Sequence, residues 1–462
     1  MKIIKFGGSS VANPEMIMKA AEIVRKGSLQ EKSICVVVSA QSGVTDQLAE
    51  ICKLIPGDPE KCYDSIRNIE LRHLSAVREM IPVPDQPEVL AELMALCNQL
   101  YDLVKGATLV GEVTARTQDL VLSFGEQLSA YLFYQVIKQD KVLVTYTDAR
   151  LLIRTDSNYG HAMVDHEATS KLIVEYYSQS RGINIVPGFI ASTSGGQTTT
   201  LGRNGSDYTA SLLGAALDAE SIEIWSDTDG VMTADPQYVE KAKNIGQLSY
   251  SEAMELSHFG AKIIFPASLQ PAMAKRIPVT VKNTFNPGHK GTLICSESDN
   301  NNGIIKGITS LRNICLVNVE GCGMVGVTGI AARMFTALSL NRISVIFISQ
   351  ASSEHSICIS VLQNEEEKAT GILRNTFSEE LRSGLISSVG SESRLAIVAV
   401  VGEKMKNMPG VAARIFEPLG KNGINIKAIS QGSSELNISF VIHENDLFRA
   451  LNALHDSMFK KI

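Results

Sequence analysis

Apolar residues along this chain follow two rhythms. Short runs rich in Ile and Val occur at Lys2 to Phe6, Ile34 to Val38, Val142 to Tyr146, Ile183 to Val186 and Ile222 to Trp225. Such runs read as buried strands. Between them apolar residues recur every three or four positions, as at Ile17, Ala20, Ala21 and Val24, the spacing of one helix face. Asn13, Pro14 and Glu15 supply the N-cap, first-turn proline and early acid that start that helix. From about Ala49 to Ile137 the pattern is mostly helical and is broken by the proline-rich stretch Pro82 to Pro87. Alternating strands and helices predict an α/β architecture, a mostly parallel sheet covered on both faces.

The loops after these strands carry the chemistry. Lys5-Phe6-Gly7-Gly8-Ser9-Ser10 joins the first strand to a helix start, and glycine amides, a helix N-terminus and a lysine aimed at one point make an anion site. A plain strand and glycine turn is the competing reading. Ser39 to Thr45 is a small hydroxyl-rich loop, and Glu126 follows Gly125 in a helical stretch, where a solvated acid is the default. Gly195 to Thr200 reads as a turn. In Gly202-Arg203-Asn204-Gly205-Ser206-Asp207, Ser206 and Asp207 read as caps of an alanine-rich helix. Capping does not require Arg203, whose planar fork suits a carboxylate. Trp225-Ser226-Asp227-Thr228-Asp229-Gly230 hints at a calcium loop, but Trp225 and Pro236 stand where the first and twelfth ligands belong.

Polar Asp299 to Gly303 marks a boundary, and an internal repeat follows. Residues 329–358 match 410–439 at an offset of 81 with 15 of 30 positions identical. Each copy reads strand, glycine loop, amphipathic helix, strand, turn, strand. Gly321-Cys322-Gly323-Met324-Val325-Gly326 fits G-x-G-x-x-G, but the second copy has Gly402-Glu403-Lys404-Met405-Lys406-Asn407 there. No acid ends a following strand, so the match reads as a loop of the repeat and not as a dinucleotide site.

With 462 residues, 44% hydrophobic and 20% charged, the chain is ordinary globular material too long for one core. Forty-three basic against 49 acidic residues leave a net charge of -6, a field that repels nucleic acid and anionic lipid. Neither nucleic acid nor membrane is an expected partner. Cysteines at 35, 52, 62, 97, 295, 315, 322 and 358 form no C-x-x-C pair, the pattern of scattered thiols in a reducing compartment. There is no signal-peptide pattern and no apolar run near the roughly 20 residues that span a bilayer. A cytoplasmic location is expected.

K-F-G-G-S-S at 5–10, S-A-Q-S-G-V-T at 39–45, F-G-E at 124–126, G-R-N-G-S-D-Y-T-A at 202–210, W-S-D at 225–227, T-A-D-P at 233–236 and F-G-A-K at 259–262 stand in one order. Together they resemble the aspartate kinases of the amino acid kinase superfamily. The repeat resembles a pair of ACT domains, small amino-acid sensors. The resemblance implies an amino acid kinase domain over residues 1–300 and two α+β, ferredoxin-like ACT regulatory domains at 306–390 and 391–462. It implies ATP as substrate, Mg2+ as its counter-ion with no dedicated protein ligands, and phosphorylation of the β-carboxylate of L-aspartate. That reaction is the first step of lysine, threonine and methionine biosynthesis.

Carried over residue by residue, the resemblance gives Lys5, Asp207 and Lys262 the catalytic roles. Ser39, Thr45, Glu126, Arg203 and Ser206 fall to aspartate, with Arg203 on its α-carboxylate and Glu126 on its α-ammonium. Gly7, Gly8, Ser9, Ser226, Asp227 and Asp235 fall to the nucleotide, the first two as backbone donors. Met232 and Gln237 depart from the usual tyrosine and arginine, both on the nucleotide side. Gln350, Gln431, Asn341 and Asn422 are the expected effector residues. The tail looks most like the threonine-inhibited branch, often fused to homoserine dehydrogenase; whether this chain is monofunctional or part of a fusion stays open. Threonine is favoured over lysine as effector, and a homodimer or higher homo-oligomer through the ACT domains is expected. Two rival readings remain: another kinase of the superfamily, or an amino-acid sensor with a degenerate kinase domain.

Overall fold

A computed structural model describes every residue except 30, 32, 179–180, 262–265, 298–302, 351–354 and 460–462. The chain forms two compact units: Met1–Val231, Gly246–Tyr250 and Ile263–Ser298 in the first, Met232–Ile245, Ser251–Lys262 and Asp299–Ile462 in the second. The boundary expected at Asp299 to Gly303 lies mostly outside the described residues. No helix among the described residues is long and apolar enough to cross a membrane.

The strands of the first unit are β1 (Lys2–Phe6), β2 (Ser33–Val38), β3 (Val144–Tyr146), β4 (Arg154–Thr155), β5 (Gly182–Pro187), β6 (Ile190–Thr193), β7 (Thr198–Thr200), β8 (Ser221–Ser226), β9 (Gln247–Ser249), β10 (Val279–Asn283) and β11 (Thr292–Cys295). Eight of them form one sheet in the order β3-β5-β2-β1-β8-β10-β11-β9. Every pairing in it is parallel except β10 with β11. Helices α1 (Pro14–Ser28), α2 (Val44–Leu54), α3 (Pro59–Met80), α4 (Gln86–Val110) and α5 (Ala115–Lys138) pack on the face that carries Ile4, Phe6, Val36 and Val38. α6 (His166–Tyr177), α7 (Gly205–Ala216), α8 (Tyr250–His258), which runs into the second unit, and α9 (Pro266–Ala274) follow. α7 packs on the opposite face, where Gly214 sits against Ile3 and Ile222. Gly195 to Thr200 is more than a turn. Thr198–Thr200 is β7, which pairs with β6 and β4 in a small three-stranded sheet.

The second unit holds β12 (Gly307–Glu320), α10 (Ile330–Leu340), β13 (Phe347–Gln350), β14 (Ser356–Leu362), α11 (Glu366–Thr376), α12 (Ser378–Ser383), β15 (Ser388–Val401), α13 (Val411–Lys421), β16 (Ile426–Ser430), β17 (Asn437–His443) and α14 (Leu447–Met458). Its single sheet runs β13-β14-β12-β15-β17-β16. Both 14-residue strands serve both repeats. Residues 314–320 of β12 pair with β14 of the first copy, while residues 307–311 pair with Gly307↔Val401 to Leu311↔Ile397 in the second. A division at 390/391 therefore falls inside β15. The sheet curls until its edge strands meet, and the Ser349 hydroxyl donates to the Ile429 carbonyl at 3.0 Å. Ile314, Leu316, Phe347, Leu395, Ile397 and Val441 fill the concave side, with Phe259 from the segment 251–261.

Gly321 and Gly402 hold equivalent places in the two copies. A Cβ on Gly321 would lie 2.3 Å from the Leu385 carbonyl oxygen, and one on Gly402 would lie 2.2 Å from that of Ile304. Each glycine lets the segment that leads into β15 or β12 pass at backbone distance. Gly402→Ala should therefore cost about 1–3 kcal/mol, because a main-chain atom must move. Gly420→Ala, in α13 with nothing within 4 Å, should be neutral or stabilising by up to about 1 kcal/mol. Urea unfolding of the two variants checks this; equal midpoints would refute the close-approach argument.

Candidate active site

The carboxyl ends of β1, β2, β5 and β8 face one region, as expected where loops of a parallel sheet build a site. Lys5 lies on the central strand, opposite Val37 of β2 and Ile224 of β8. Its Nζ reaches Asp207 Oδ1 at 2.5 Å, and the two side chains are 11% and 4% exposed. Asp207 occupies the first turn of α7, where the helix dipole favours a carboxylate. It is not a cap, and neither is Ser206. The N-cap is Asn204, held at φ 56° with no side-chain capping bond, and its amide reaches Asp207 Oδ2 at 3.2 Å. The left-handed Asn204 turns the chain so that Gly205, Ser206 and Asp207 point inward and are buried while Arg203 stays exposed.

Glu126 approaches from α5. Its neighbour Gly125 makes this possible, since a Cβ there would lie 2.9 Å from Ala40 Cβ in the Ser39–Thr45 loop. Glu126 is 4% exposed, so the solvated-acid reading is corrected. Burial pushes its carboxyl up to about 8, opposed by donation from the Ala40 amide and by the charge of Lys5. Its Oε2 has no hydrogen-bond partner among the described residues. An acceptor so placed suits a cationic ligand group. Ser39 and Thr45 are half-buried in the same loop, and Gln41 between them is buried with both amide atoms unpartnered.

In the glycine loop the structure corrects one expectation. The Gly7 amide donates to the Trp225 carbonyl at 3.0 Å, so it continues the β1–β8 ladder and is not free for a ligand. The amides of Gly8 and Ser9 open a 3₁₀ turn, Gly8–Val11, and have no acceptor within it. Buried Ser10 fixes that turn to the ends of β8 and β10: its hydroxyl donates to the Trp225 carbonyl at 3.2 Å and meets Thr284 Oγ1 at 2.7 Å. Ser10 and Thr284 carry no signal in the sequence that links them. Ser226 contacts the Thr228 hydroxyl at 3.2 Å, and Asp227 is exposed.

Other expected residues lie elsewhere. Asp235 belongs to the second unit, where its carboxylate accepts the Gln237 amide at 2.9 Å and closes a turn. Lys262 lies outside the described residues. Gln350 ends β13, and Gln431 follows β16; both are exposed, at the ends of the two strands that the Ser349 bond joins. The Asn341 and Asn422 amides donate to the Ala337 and Pro418 carbonyls of their own helices, a helix-ending role. Among the described residues no group of three His, Cys, Asp or Glu side chains comes together to hold a metal.

Residues 1–283 match the amino acid kinase family, and 317–377 and 398–458 each match the ACT domain. The chain therefore belongs to the amino acid kinase family. Lysine-sensitive aspartokinase 3 of Escherichia coli K12 is 33% identical over 99% of either chain. Bifunctional aspartokinase/homoserine dehydrogenase 2, chloroplastic, of Zea mays is 36% identical over 98% of this chain but 50% of its own length. This chain thus spans about half the length of such bifunctional relatives. Escherichia coli aspartokinase III in complex with aspartate and ADP (R-state) superposes with a TM-score of 0.84 at 30% identity, covering 100% of both chains. Aspartate kinase of Clostridium acetobutylicum gives 0.82 at 26% identity, over 99% of this chain and 100% of that one.

The raised Glu126 carboxyl carries a pH signature. Its ordinary value is 4.5 and its folded value about 8. Between these the folded chain keeps a proton that the unfolded chain has lost, so the contribution of Glu126 to stability falls as pH rises through that window. Glu126→Gln should gain on the parent in urea midpoint from pH 5 to pH 8. A constant difference between the two across that range would refute the assignment.

Proposed function

We propose that this chain is an aspartate kinase, moving the γ-phosphoryl group of ATP to the β-carboxylate of L-aspartate to give 4-phospho-L-aspartate and ADP. The buried Lys5–Asp207 pair, with the Glu126 carboxyl and its open Oε2 nearby, carries the reading. The nucleophile is already an anion, so no general base is needed and catalysis reduces to alignment and charge neutralisation. Lys5 has three donors, one of which holds Asp207, leaving others for phosphate oxygens. The Gly8 and Ser9 amides add backbone donors to the same anion. Glu126 takes the α-ammonium, exposed Arg203 the α-carboxylate, and Ser39, Thr45 and Ser206 the end of the substrate that reacts. Ser226 and Asp227 serve the nucleotide, and magnesium enters with ATP. The relative solved with aspartate and ADP supports this choice of substrates.

ATP-dependent acyl phosphate formation, trapped with hydroxylamine, tests the reading. Lys5→Ala should lower turnover by about 100-fold or more, since a cation facing an anion-rich transition state is lost. Arg203→Ala should raise the aspartate requirement about 10-fold or more at saturating ATP. Near-parent kinetics in both would place the site elsewhere.

The paired repeats support feedback by an amino acid, as does a relative solved with lysine and aspartate in a T-state. We favour threonine for this chain. The Gln350 and Gln431 amides can both donate and accept, and so satisfy a hydroxyl together with an ammonium or carboxylate. An effector acts by its differential affinity for two states, typically about 1–3 kcal/mol, and one lost hydrogen bond to a charged group is of that size. Gln350→Ala and Gln431→Ala should keep kinase activity and shift threonine inhibition to higher concentration. Stronger inhibition of the parent by lysine would reverse the effector assignment.

A further inference from the structure

Arg72 lies on α3, which contributes no residue to the site described above, yet its guanidinium touches both loops that build it. Nη1 donates to the Ser42 carbonyl at 2.9 Å and Nη2 to the Ala12 carbonyl at 2.7 Å. The two acceptors are equivalent. Ala12 immediately precedes Asn13, the N-cap of α1, and Ser42 immediately precedes Gly43, the N-cap of α2. One carbonyl therefore leads out of the 3₁₀ turn that carries the Gly8 and Ser9 amides, and the other sits inside the Ser39–Thr45 loop. The two stretches are also joined directly, by the Ser42 amide to the Gly8 carbonyl and by the Ser39 amide to the Phe6 carbonyl, each at 3.1 Å.

The charge of Arg72 argues against a purely stabilising role. Helix N-termini carry partial positive charge, so a cation beside two of them has the wrong sign for the dipoles. The side chain is half-buried, and burial pushes its pKa down. Water or a neutral amide would satisfy the same carbonyls without that penalty. What a guanidinium adds is a rigid planar fork with two donors at a fixed separation, and so a fixed spacing between the loops it grips.

We propose that Arg72 is a positioning residue that holds the phosphate-binding turn and the carboxylate-binding loop at reacting distance. This rests on the aspartate kinase reading, in which ATP lies along the first loop and the attacking carboxylate against the second. In-line transfer needs the reacting atoms about 3–3.5 Å apart, and a misplacement of about 1 Å costs on the order of 100-fold in rate. Each half-site keeps its own binding groups when the fork is removed. The loss therefore falls on turnover and spares the affinity for either substrate alone.

The test compares the parent with Arg72→Met, which keeps the apolar stem, and Arg72→Lys, which keeps the charge but not the fork. Turnover comes from the hydroxylamine assay. Separate dissociation constants for ATP and for aspartate come from calorimetry, and the melting temperature reports the fold. The expected result is a kcat about 10- to 100-fold lower in Arg72→Met and intermediate in Arg72→Lys, with each dissociation constant within about threefold of the parent. Turnover within about twofold of the parent in both variants overturns the proposal, and so does a kcat loss matched by equal losses of affinity. Should Arg72→Met fail to fold, Arg72→Lys is read by the same criteria. An inactive parent overturns instead the kinase reading on which the clamp stands.

Discussion

Burying Lys5 against Asp207 is the constraint around which the first unit is arranged. Removing two charges from water costs several kcal/mol each, and a pair so placed is weak as a source of stability. It persists only where the surroundings fix both partners. Lys5 is fixed by the central position of β1, bonded on both edges. Asp207 is fixed in the first turn of α7 by the left-handed Asn204. Glu126 then enters a region whose field is already set, and the charge of Lys5, with backbone amides, draws on its proton against the effect of burial. Without a ligand, Glu126 is thus held short of its full negative charge.

Much of this was legible in the sequence because the central strands are continuous β-branched runs. Ile34–Val38, Ile183–Val186 and Ile222–Trp225 all lie inside observed strands, and the break at Pro82–Pro87 separates α3 from α4. β4, β6 and β7 escaped because they are short and threonine-rich, with hydroxyls bonded to one another, as in Thr155 to Thr199 at 2.7 Å. Local capping preference pointed to Ser206 and Asp207, while the conformation that only Asn204 tolerates readily at φ 56° decided the helix start. Pairings such as Lys5–Asp207 and Ser10–Thr284 join residues far apart in the chain. Spacing rules see neighbours along one element and carry no information on such contacts.

The repeat shows a different limit. Fifteen identities in 30 positions reveal two copies, but not that each copy lacks an edge which an outside strand supplies. The first half of β12 completes the second copy, and the first half of β15 completes the first. A division at 390/391 falls within a strand, because β12 and β15 each continue past a register shift to serve both copies.

The same interleaving extends to residues 232–245 and 251–261. By sequence they belong with the kinase, and by packing with the second unit. Ala234 and Val239 lie in the core formed by α13 and α14. Buried His455 of α14 meets Thr233 Oγ1 at 2.9 Å, and burial pushes its pKa down, which favours the uncharged ring as partner for that hydroxyl. Asn452 donates to the Tyr238 carbonyl at 2.9 Å, and Glu252 accepts the Glu403 amide at 2.9 Å. The T-A-D-P motif is therefore held by the second copy of the repeat. Any rearrangement that alters how α14 packs must therefore act on that motif through packed contacts. Part of the sequence that matches the amino acid kinase family, residues 1–283, is thus folded into the second unit.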